Sequence, residues 1–371
     1  MGEHPLFRPF SHEKINLPNR IVMAPMARNF SPDFVPDEKV AAYYARRAEG
    51  GAGLLITEAC WINHPVASTF KRQAAMFGAA LPGWQRVCER VHDAGGRIFA
   101  QIWHIGAERQ EGGIPYPHLP ALSPSGLAWN DRPSGEAMTE DDIEDTIAAF
   151  AGAAVNARNV GFDGVEVHGA HGYLIDQFIC GITNRRTDRW GGSLENRMRY
   201  PVEVLRRVRA AVGEDFPISF RLSQFKLQDY DARIADTPEE LALILEHLSA
   251  AGADFFHSST RRFWEPAFPG SDLNLAGWTK KLTGKPAITV GSVGLDSDFV
   301  TNEHSGSRRT RGNAAVSENL DRLAERMERE EFDLVAVGRS IIANPDWPKL
   351  VAGNRIPQLR AYDRNMLRTL H

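Results

Sequence analysis

Cysteine is scarce in this chain, which has only Cys60, Cys88 and Cys180 among its 371 residues. The three are widely separated and form no CxxC pair, so a disulfide framework, a thiolate zinc site and an iron–sulfur cluster are disfavoured. No apolar run approaches the ~20 residues of a membrane span, and the first residues lack the apolar core of a signal peptide. We therefore expect a cytoplasmic protein without a membrane partner or a metal site.

An excess of charge of one sign is also missing. The 43 Lys and Arg residues against 47 Asp and Glu residues give a formal net charge of -4. No global basic field is available to attract nucleic acid, so a nucleic-acid partner is not expected. A strand-linked GxGxxG and a Walker A lysine are absent too, which disfavours a Rossmann dinucleotide site and a P-loop. The expected partner is a small molecule.

Short apolar segments alternate with longer amphipathic ones along the chain, a pattern that predicts repeated βα units. The predicted strands are 21–24, 53–58, 97–103, 164–168, 218–222, 254–258, 287–291 and 334–338. The predicted helices are 37–49, 82–94, 140–159, 194–212, 238–251, 273–282 and 317–330, with one more near the C-terminus. Because near-continuous apolar strands need cover on both faces, eight such units favour a closed (β/α)8 TIM barrel over an open sheet.

We expect one domain, residues 1–371, with features added to the barrel at both of its ends. A small hairpin at 15–18 precedes the first strand and is expected to close the bottom of the barrel. Residues 106–135 are rich in Gly and Pro and too numerous for an ordinary connection, so they predict a long active-site loop over the barrel mouth. Residues 302–313, with three arginines among Gly, Ser and Thr, are expected to form a solvated loop.

The most informative segment is an apolar strand that runs directly into His168, His171 and Tyr173. In a parallel α/β barrel the carboxyl ends of the strands line the active site. All three side chains can donate a hydrogen bond at neutral pH. Such a set can hold an oxygen that becomes negative and can then supply a proton nearby.

Other predicted strands also end in residues that suit ligand binding. The third strand ends in Gln101 and Trp103, and the fifth ends in Arg221. Glycine-rich turns follow the seventh and eighth strands, with Gly291 and Gly294 in one turn and Gly338 and Arg339 in the other. Backbone N–H groups in such turns can approach a phosphate, and Arg339 can add a bidentate charged contact. This pattern predicts a phosphate-bearing cofactor.

Over nearly its whole length the chain resembles the Old Yellow Enzyme family of FMN-dependent ene-reductases. The resemblance rests on motifs that are weak singly but specific in their order and spacing. They are NRIVMAPM at 19–26, TEA at 57–59, Gln101, HGAHGYL at 168–174, NRRTD at 184–188, GGSLENR at 191–197, Arg221 and Gly338-Arg339.

The resemblance implies a noncovalently bound FMN at the barrel mouth, with NADH or NADPH as the reductant. It implies that Gln101 hydrogen-bonds the pyrimidine edge of the flavin ring and that Arg221 lies beside N1 and O2, where its charge stabilises the reduced flavin. The residues implied to pack on the ring are Ala24, Pro25, Met26 and Ala59. The residues implied to bind the phosphate are Gly291, Gly294, Gly338 and Arg339.

The implied reaction is reduction of the C=C bond of an α,β-unsaturated carbonyl compound. The carbonyl oxygen would lie between His168 and His171, and the flavin hydride would go to the β-carbon. Tyr173 would protonate the α-carbon from the opposite side. Trp103 and Phe263 are expected to form walls of the substrate pocket.

One position departs from the family pattern. Ala27 stands where the family usually has a Thr or Cys that hydrogen-bonds flavin O4, so a lower flavin potential is expected. This leaves open a catalytically poor FMN-binding barrel that acts as a flavin carrier or partner-binding protein, although His168, His171 and Tyr173 argue against it. An aldolase barrel without flavin is disfavoured because no strand-end lysine is available for a Schiff base. Since barrels of this kind often pair, a homo-oligomer is compatible with the sequence.

Overall fold

The computed structural model describes residues 4–295 and 312–371, and a closed barrel of parallel strands lies at its centre. The strands are β1 (Ile21–Met23), β2 (Leu54–Ile56), β3 (Arg97–Trp103), β4 (Gly164–His168), β5 (Ile218–Ser223), β6 (Phe255–Ser259), β7 (Ala287–Val290) and β8 (Leu334–Val337). Each strand pairs in parallel with the next along the chain, and β8 pairs with β1. The predicted (β/α)8 barrel is confirmed.

The strands are apolar because both of their faces are covered. Every residue of β4 and β5 is buried. The barrel interior is a cluster of strand side chains that includes Phe99, Phe255 and Ile288. A second, larger apolar cluster lies between the strands and the outer helices. Continuous burial of this kind is typical of a parallel sheet with helices outside and packed side chains inside.

An antiparallel hairpin precedes β1 and packs against the amino ends of the strands. Phe10–His12 pairs with Ile15–Leu17, so the hairpin begins earlier than the predicted 15–18. Phe10, Ile15 and Leu17 join the apolar cluster inside the barrel. The hairpin therefore closes the end of the barrel opposite the carboxyl ends of the strands.

The longer outer helices are α1 (Glu38–Glu49), α2 (Leu81–Asp93), α3 (Glu140–Asn159), α4 (Arg199–Val212), α5 (Pro238–Ala250), α6 (Leu275–Thr283) and α7 (Gly312–Glu328). Shorter helices are Leu174–Ile179, Leu194–Arg197, Arg339–Ala343 and Trp347–Ala352. Thr139 starts α3 with a capping box to Asp142, and the Thr237 side chain caps α5. The helix predicted over 194–212 is instead two helices with Met198 between them. Because Pro201 has no N–H to donate to the carbonyl four residues earlier, a continuous helix is disfavoured there.

The connections above the barrel mouth contain small elements of their own. Cys60–Trp61 pairs with the end of β3, and Leu122–Ser123 pairs with Glu136–Ala137 at the far end of the predicted long loop. Residues 302–311 of the predicted solvated loop lie outside the described residues. Among the described helices, none combines the length and the apolar character needed to cross a membrane.

Candidate active site

A cavity of about 350 Å³ opens at the carboxyl ends of the strands. The predicted site residues that line it are Ala24, Pro25, Met26, His171, Arg221, Gly291, Gly338 and Arg339. They come from the ends of β1, β7 and β8 and of β4 and β5, and β6, which lies between β5 and β7, contributes Ser259 to the lining. The barrel closure therefore brings together groups that the sequence spreads over some three hundred residues.

His168, His171 and Tyr173 form one aromatic cluster beside this cavity. The ring centroids of His168 and His171 are 5.2 Å apart, and those of His168 and Tyr173 are also 5.2 Å apart. Trp103 packs edge-on against Tyr173 at 5.0 Å. His171 has a φ of 68°, and Ser223 Oγ accepts from its backbone N–H at 3.0 Å. The sharp turn after β4 therefore gathers three donors that a continued strand would send to opposite faces.

Burial and a nearby arginine keep both imidazoles neutral. Burial, with the charge of Arg221 acting in the same direction, lowers the pKa of His168 to about 3. The pKa of His171 is lowered far below its usual range by burial and again by Arg221. Burial raises the pKa of Tyr173 to about 12, so its hydroxyl keeps its proton at neutral pH. The cluster therefore offers neutral N–H and O–H donors beside a fixed guanidinium.

A buried ion pair holds the turn that carries these donors. Lys226 Nζ lies 2.6 Å from Asp176 Oδ1, and the two side chains are 1% and 0% exposed. Asp176 Oδ2 accepts from the backbone N–H of Gly172 at 2.6 Å, between His171 and Tyr173. Burial raises the pKa of Asp176, while Lys226 and the Gly172 N–H oppose that rise. The sequence does not reveal this pair, because its members are fifty residues apart and neither stands in a recognisable motif.

Glu166 lies inside β4 and accepts hydrogen bonds from three other strands. Gln101 Nε2 donates to Glu166 Oε1 at 2.7 Å, His257 Nδ1 contacts Oε2 at 2.8 Å, and Ser219 Oγ donates to Oε2 at 3.2 Å. Burial alone would raise the pKa of Glu166, but its contacts with His257, Arg221 and Gln101 outweigh burial and lower the pKa to about 2. The Gln101 amide nitrogen is thus engaged, and the residue is buried outside the cavity lining. A charged residue inside an apolar strand was the one sequence signal that could have revealed this network.

At the opposite side of the cavity, glycine turns and Arg339 leave space for a ligand. A Cβ added at Gly338 would lie 3.4 Å from Met26 Sδ and 3.9 Å from Ala24 Cβ, so a side chain there would enter the cavity. Ser292, which was not among the predicted site residues, also lines the cavity beside Gly291. The expectation that Gly294 binds the phosphate is corrected, because its backbone N–H already donates to Asn319 Oδ1 at 2.8 Å and is not available to a phosphate.

The far end of the chain supplies one wall of the cavity. Tyr362 and Leu367 line it, and the Arg339 guanidinium carbon lies 5.9 Å from the centroid of the Tyr362 ring. Arg28 Nη2 donates to the Thr369 carbonyl at 2.7 Å and also contacts the Leu367 carbonyl at 3.4 Å. The segment that follows β1 therefore anchors the segment near the C-terminus. Sequence reasoning missed this wall because these residues follow the last strand and match no motif.

Several expected residues lie outside the cavity lining. The expectation that Phe263 forms a wall of the substrate pocket is corrected, because its side chain is fully buried in the apolar core. Trp103 is almost fully buried and reaches the site only through its contact with Tyr173. Ala59 is partly buried against the apolar core. Ala27 is exposed directly after Met26.

The donors of the cavity suit a flat ring with acceptor atoms and an attached phosphate. Arg221 is buried, and its Nε has no hydrogen-bond partner among the described residues. An unpaired buried donor of this kind is costly unless a ligand accepts from it. Pro25 and Met26 offer apolar contact, and the turn at Gly338 and Arg339 offers backbone N–H groups and positive charge. These residues fit a flavin mononucleotide.

Comparison of the sequence with known proteins agrees with this geometry. Residues 5–358 match the model of the NADH:flavin oxidoreductase / NADH oxidase family. The NADH oxidase of Thermoanaerobacter brockii is 36% identical over 353 residues, which cover 92% of this chain and 50% of that protein, so the chain spans half the length of that relative. A putative 12-oxophytodienoate reductase-like protein of Arabidopsis thaliana is 34% identical over 342 residues, which cover 91% of this chain and 97% of that protein.

Solved structures show the same architecture. Morphinone reductase in complex with tetrahydroNAD superposes with a TM-score of 0.80 at 29% sequence identity, covering 98% of this chain and 93% of that one. The old yellow enzyme homologue from Zymomonas mobilis gives a TM-score of 0.77 at 26% identity, covering 98% and 96%. Both likenesses extend over almost the whole chain.

Proposed function

The chain belongs to the NADH:flavin oxidoreductase / NADH oxidase family, and from that premise we propose that it is an ene-reductase. It is an enzyme whose cofactor is FMN and whose reductant is NADH or NADPH. The proposed reaction reduces the C=C bond of an α,β-unsaturated carbonyl compound. The observation that carries the proposal is the cluster of His168, His171 and Tyr173 beside a cavity that contains Arg221.

The residues of this chain can hold the flavin at both of its ends. Arg221 and Gln101 would bind the polar edge of the ring, since Arg221 Nε is unpaired among the described residues and the Gln101 oxygen is an acceptor. Pro25, Met26 and their neighbour Ala24 would pack on the ring, with Ala59 close by. Gly291, Ser292, Gly338 and Arg339 would bind the phosphate.

When bound, FMN supplies a hydride that it has received from NADH or NADPH. The protein acts on the substrate through its donors. The backbone N–H of Ala170 donates to Nδ1 of His168 at 3.3 Å, so Nε2 carries the imidazole proton and can donate to the substrate carbonyl. His171 would be the second donor to the same oxygen through Nδ1, because Ser259 Oγ accepts from Arg221 Nη2 at 3.4 Å and can donate its own proton to His171 Nε2 at 2.8 Å. Because charge develops on this oxygen as the hydride is transferred to the β-carbon, donors already in position stabilise the transition state more than the ground state.

Tyr173 completes the addition of hydrogen across the double bond. Its hydroxyl remains protonated at neutral pH and would donate that proton to the α-carbon. One hydride and one proton are then added, and the tyrosinate regains a proton from solvent. Trp103 packs against the Tyr173 ring and limits its rotation.

The test is NADPH and NADH oxidation by the purified holoprotein without oxygen, in the presence of 2-cyclohexenone. We expect enone-dependent turnover that drops sharply in His168→Leu and His171→Leu. Titration with p-hydroxybenzaldehyde should add a long-wavelength charge-transfer band that both variants lose. A yellow protein that binds the phenol but never oxidises NADPH or NADH with an enone would instead support the flavin-carrier alternative, which Ala27 keeps open.

A further inference from the structure

A second cavity, of about 190 Å³, adjoins the first at the ends of β5 and β6. Phe225, Tyr230, Ser259, Thr260 and Arg261 line both cavities. The second cavity is not lined by the glycine turns after β7 and β8 that suit a phosphate of the cofactor. A ligand in the first cavity therefore has room to extend past Arg261, away from the cofactor phosphate.

Arg261 is positioned at this junction with part of its guanidinium unused. Its guanidinium carbon lies 3.8 Å from the centroid of the Tyr230 ring, so the two groups stack. Its Nη2 atom is buried and has no hydrogen-bond partner among the described residues. Stacking on a tyrosine orients a guanidinium. Its N–H donors lie in the guanidinium plane and stay free to bind an acceptor.

The neighbouring charges do not satisfy Arg261. Glu265 also lines the second cavity, but it pairs with Arg262, the next residue in the chain. No carboxylate of the described residues forms an ion pair with Arg261. A buried cationic donor left unpaired beside an open cavity is costly, and an anionic oxygen of a ligand would remove that cost.

We propose that Arg261 binds an anionic oxygen group, a carboxylate or a phosphate, of the molecule that enters the cavity beside His171. Two molecules could carry such a group: an unsaturated substrate with a carboxylate, or the nicotinamide reductant with its phosphates. The inference rests on the proposed function only where the anionic group belongs to the unsaturated substrate. The stacked pair of Arg261 and Tyr230 would make the enzyme selective for anionic ligands.

Binding to the holoprotein tests this proposal without turnover. The probes are 3-(4-hydroxyphenyl)propanoate and its methyl ester. Both carry the same phenol group, but the acid also carries a negatively charged carboxylate, which is a neutral ester in the second probe. Their dissociation constants are measured from the flavin absorbance of wild type, Arg261→Gln, Arg261→Lys and Arg207→Gln. Arg207→Gln is the control, since it removes one positive charge from a surface residue that lines neither cavity.

For the carboxylate source, we expect Arg261→Gln to weaken binding of the acid roughly 10-fold or more and to change binding of the ester less than about 2-fold. Arg261→Lys should recover part of the affinity, and Arg207→Gln should behave as wild type. If the anionic group belongs to the nicotinamide reductant, Arg261→Gln should leave the dissociation constant of the acid unchanged. It should then raise the dissociation constant of NADH or NADPH measured by rapid anaerobic reduction. Both results support an anion site at Arg261.

Other results overturn the proposal. If neither the acid nor the nicotinamide is affected, or if Arg207→Gln has the same effect, Arg261 only stacks on Tyr230. If Arg261→Gln loses FMN during purification, the residue belongs to the cofactor site. Because these titrations need no enone reduction, a failure of the proposed activity would show separately, in the cyclohexenone assay.

Discussion

Replacing Lys226 with methionine removes the cation that faces Asp176 in the protein interior. The two charged atoms are 2.6 Å apart and both side chains are essentially inaccessible to solvent. Removing one member of a buried ion pair leaves the other charge uncompensated, which costs about 3–5 kcal/mol. For a chain of this length, that loss corresponds to a decrease in melting temperature of about 4–6 °C. We expect this destabilisation at pH 8.

The loss of stability in Lys226→Met should depend on pH, in a direction that can be tested. Burial already raises the pKa of Asp176, and the Lys226 charge opposes that rise. Without Lys226 the folded-state pKa should rise further above the value in the unfolded chain. A protonated Asp176 carries no buried charge, so the penalty is small below the unfolded-state pKa of about 4 and grows as pH rises through the folded-state pKa. The stability difference between Lys226→Met and wild type should therefore be larger at pH 8 than at pH 5.

Urea denaturation at pH 5 and pH 8, followed by circular dichroism, measures both quantities. The matched control is Arg207→Met, which breaks the surface pair between Arg207 and Glu144, 2.7 Å apart and about half exposed on each side. That control should cost no more than about 1 kcal/mol. Equal losses for the two variants, or a loss in Lys226→Met that does not depend on pH, would refute this account of the turn.

Four further predictions concern the chemistry of the site. Tyr173→Phe should slow reoxidation of the reduced enzyme by an enone roughly 10²–10⁴-fold and leave reduction by NADPH unchanged in stopped-flow measurements, since only the proton donor is lost; equal slowing of both half-reactions would contradict it. In the wild type, reoxidation should not fall between pH 7 and pH 10, because the pKa of Tyr173 is raised to about 12. Ala27→Thr should raise the flavin midpoint potential by adding a donor near O4, and an unchanged or lower potential in spectroelectrochemistry would reject that role. Glu166→Gln should also raise the potential, because Arg221 loses a nearby negative charge, and it should weaken FMN binding by freeing the Gln101 amide to rotate; a variant with wild-type potential and affinity would exclude the network from cofactor binding.

The barrel could be predicted from the sequence because each strand carries its own local pattern. The predicted bounds of β3, β4 and α3 are those of the structure. The break at Met198 was missed because the apolar period continues across it and only the backbone of Pro201 interrupts the helix. Local patterns thus predict elements well and interruptions of the backbone less well.

Residues of the candidate site could be predicted where they end an apolar strand or stand in a short motif. His168, His171 and Tyr173 lie within six consecutive residues, so a single short segment predicts all three. The partners of Glu166 and Asp176 come from other strands and loops, and no short segment reveals which side chains the barrel brings together. Tertiary packing chooses these partners, and sequence separation hides them.

The wall that Tyr362 contributes has a consequence for how the cavity is completed during synthesis. Pro25 and Tyr362 line the same cavity, although nearly the whole described chain separates them. A nascent polypeptide that already carries all eight strands still lacks this wall, and Arg28 has no carbonyls near the C-terminus to bind. Because a domain folds as a unit once its parts have emerged from the ribosome, we expect capture of the cofactor to be a late event in the maturation of this protein.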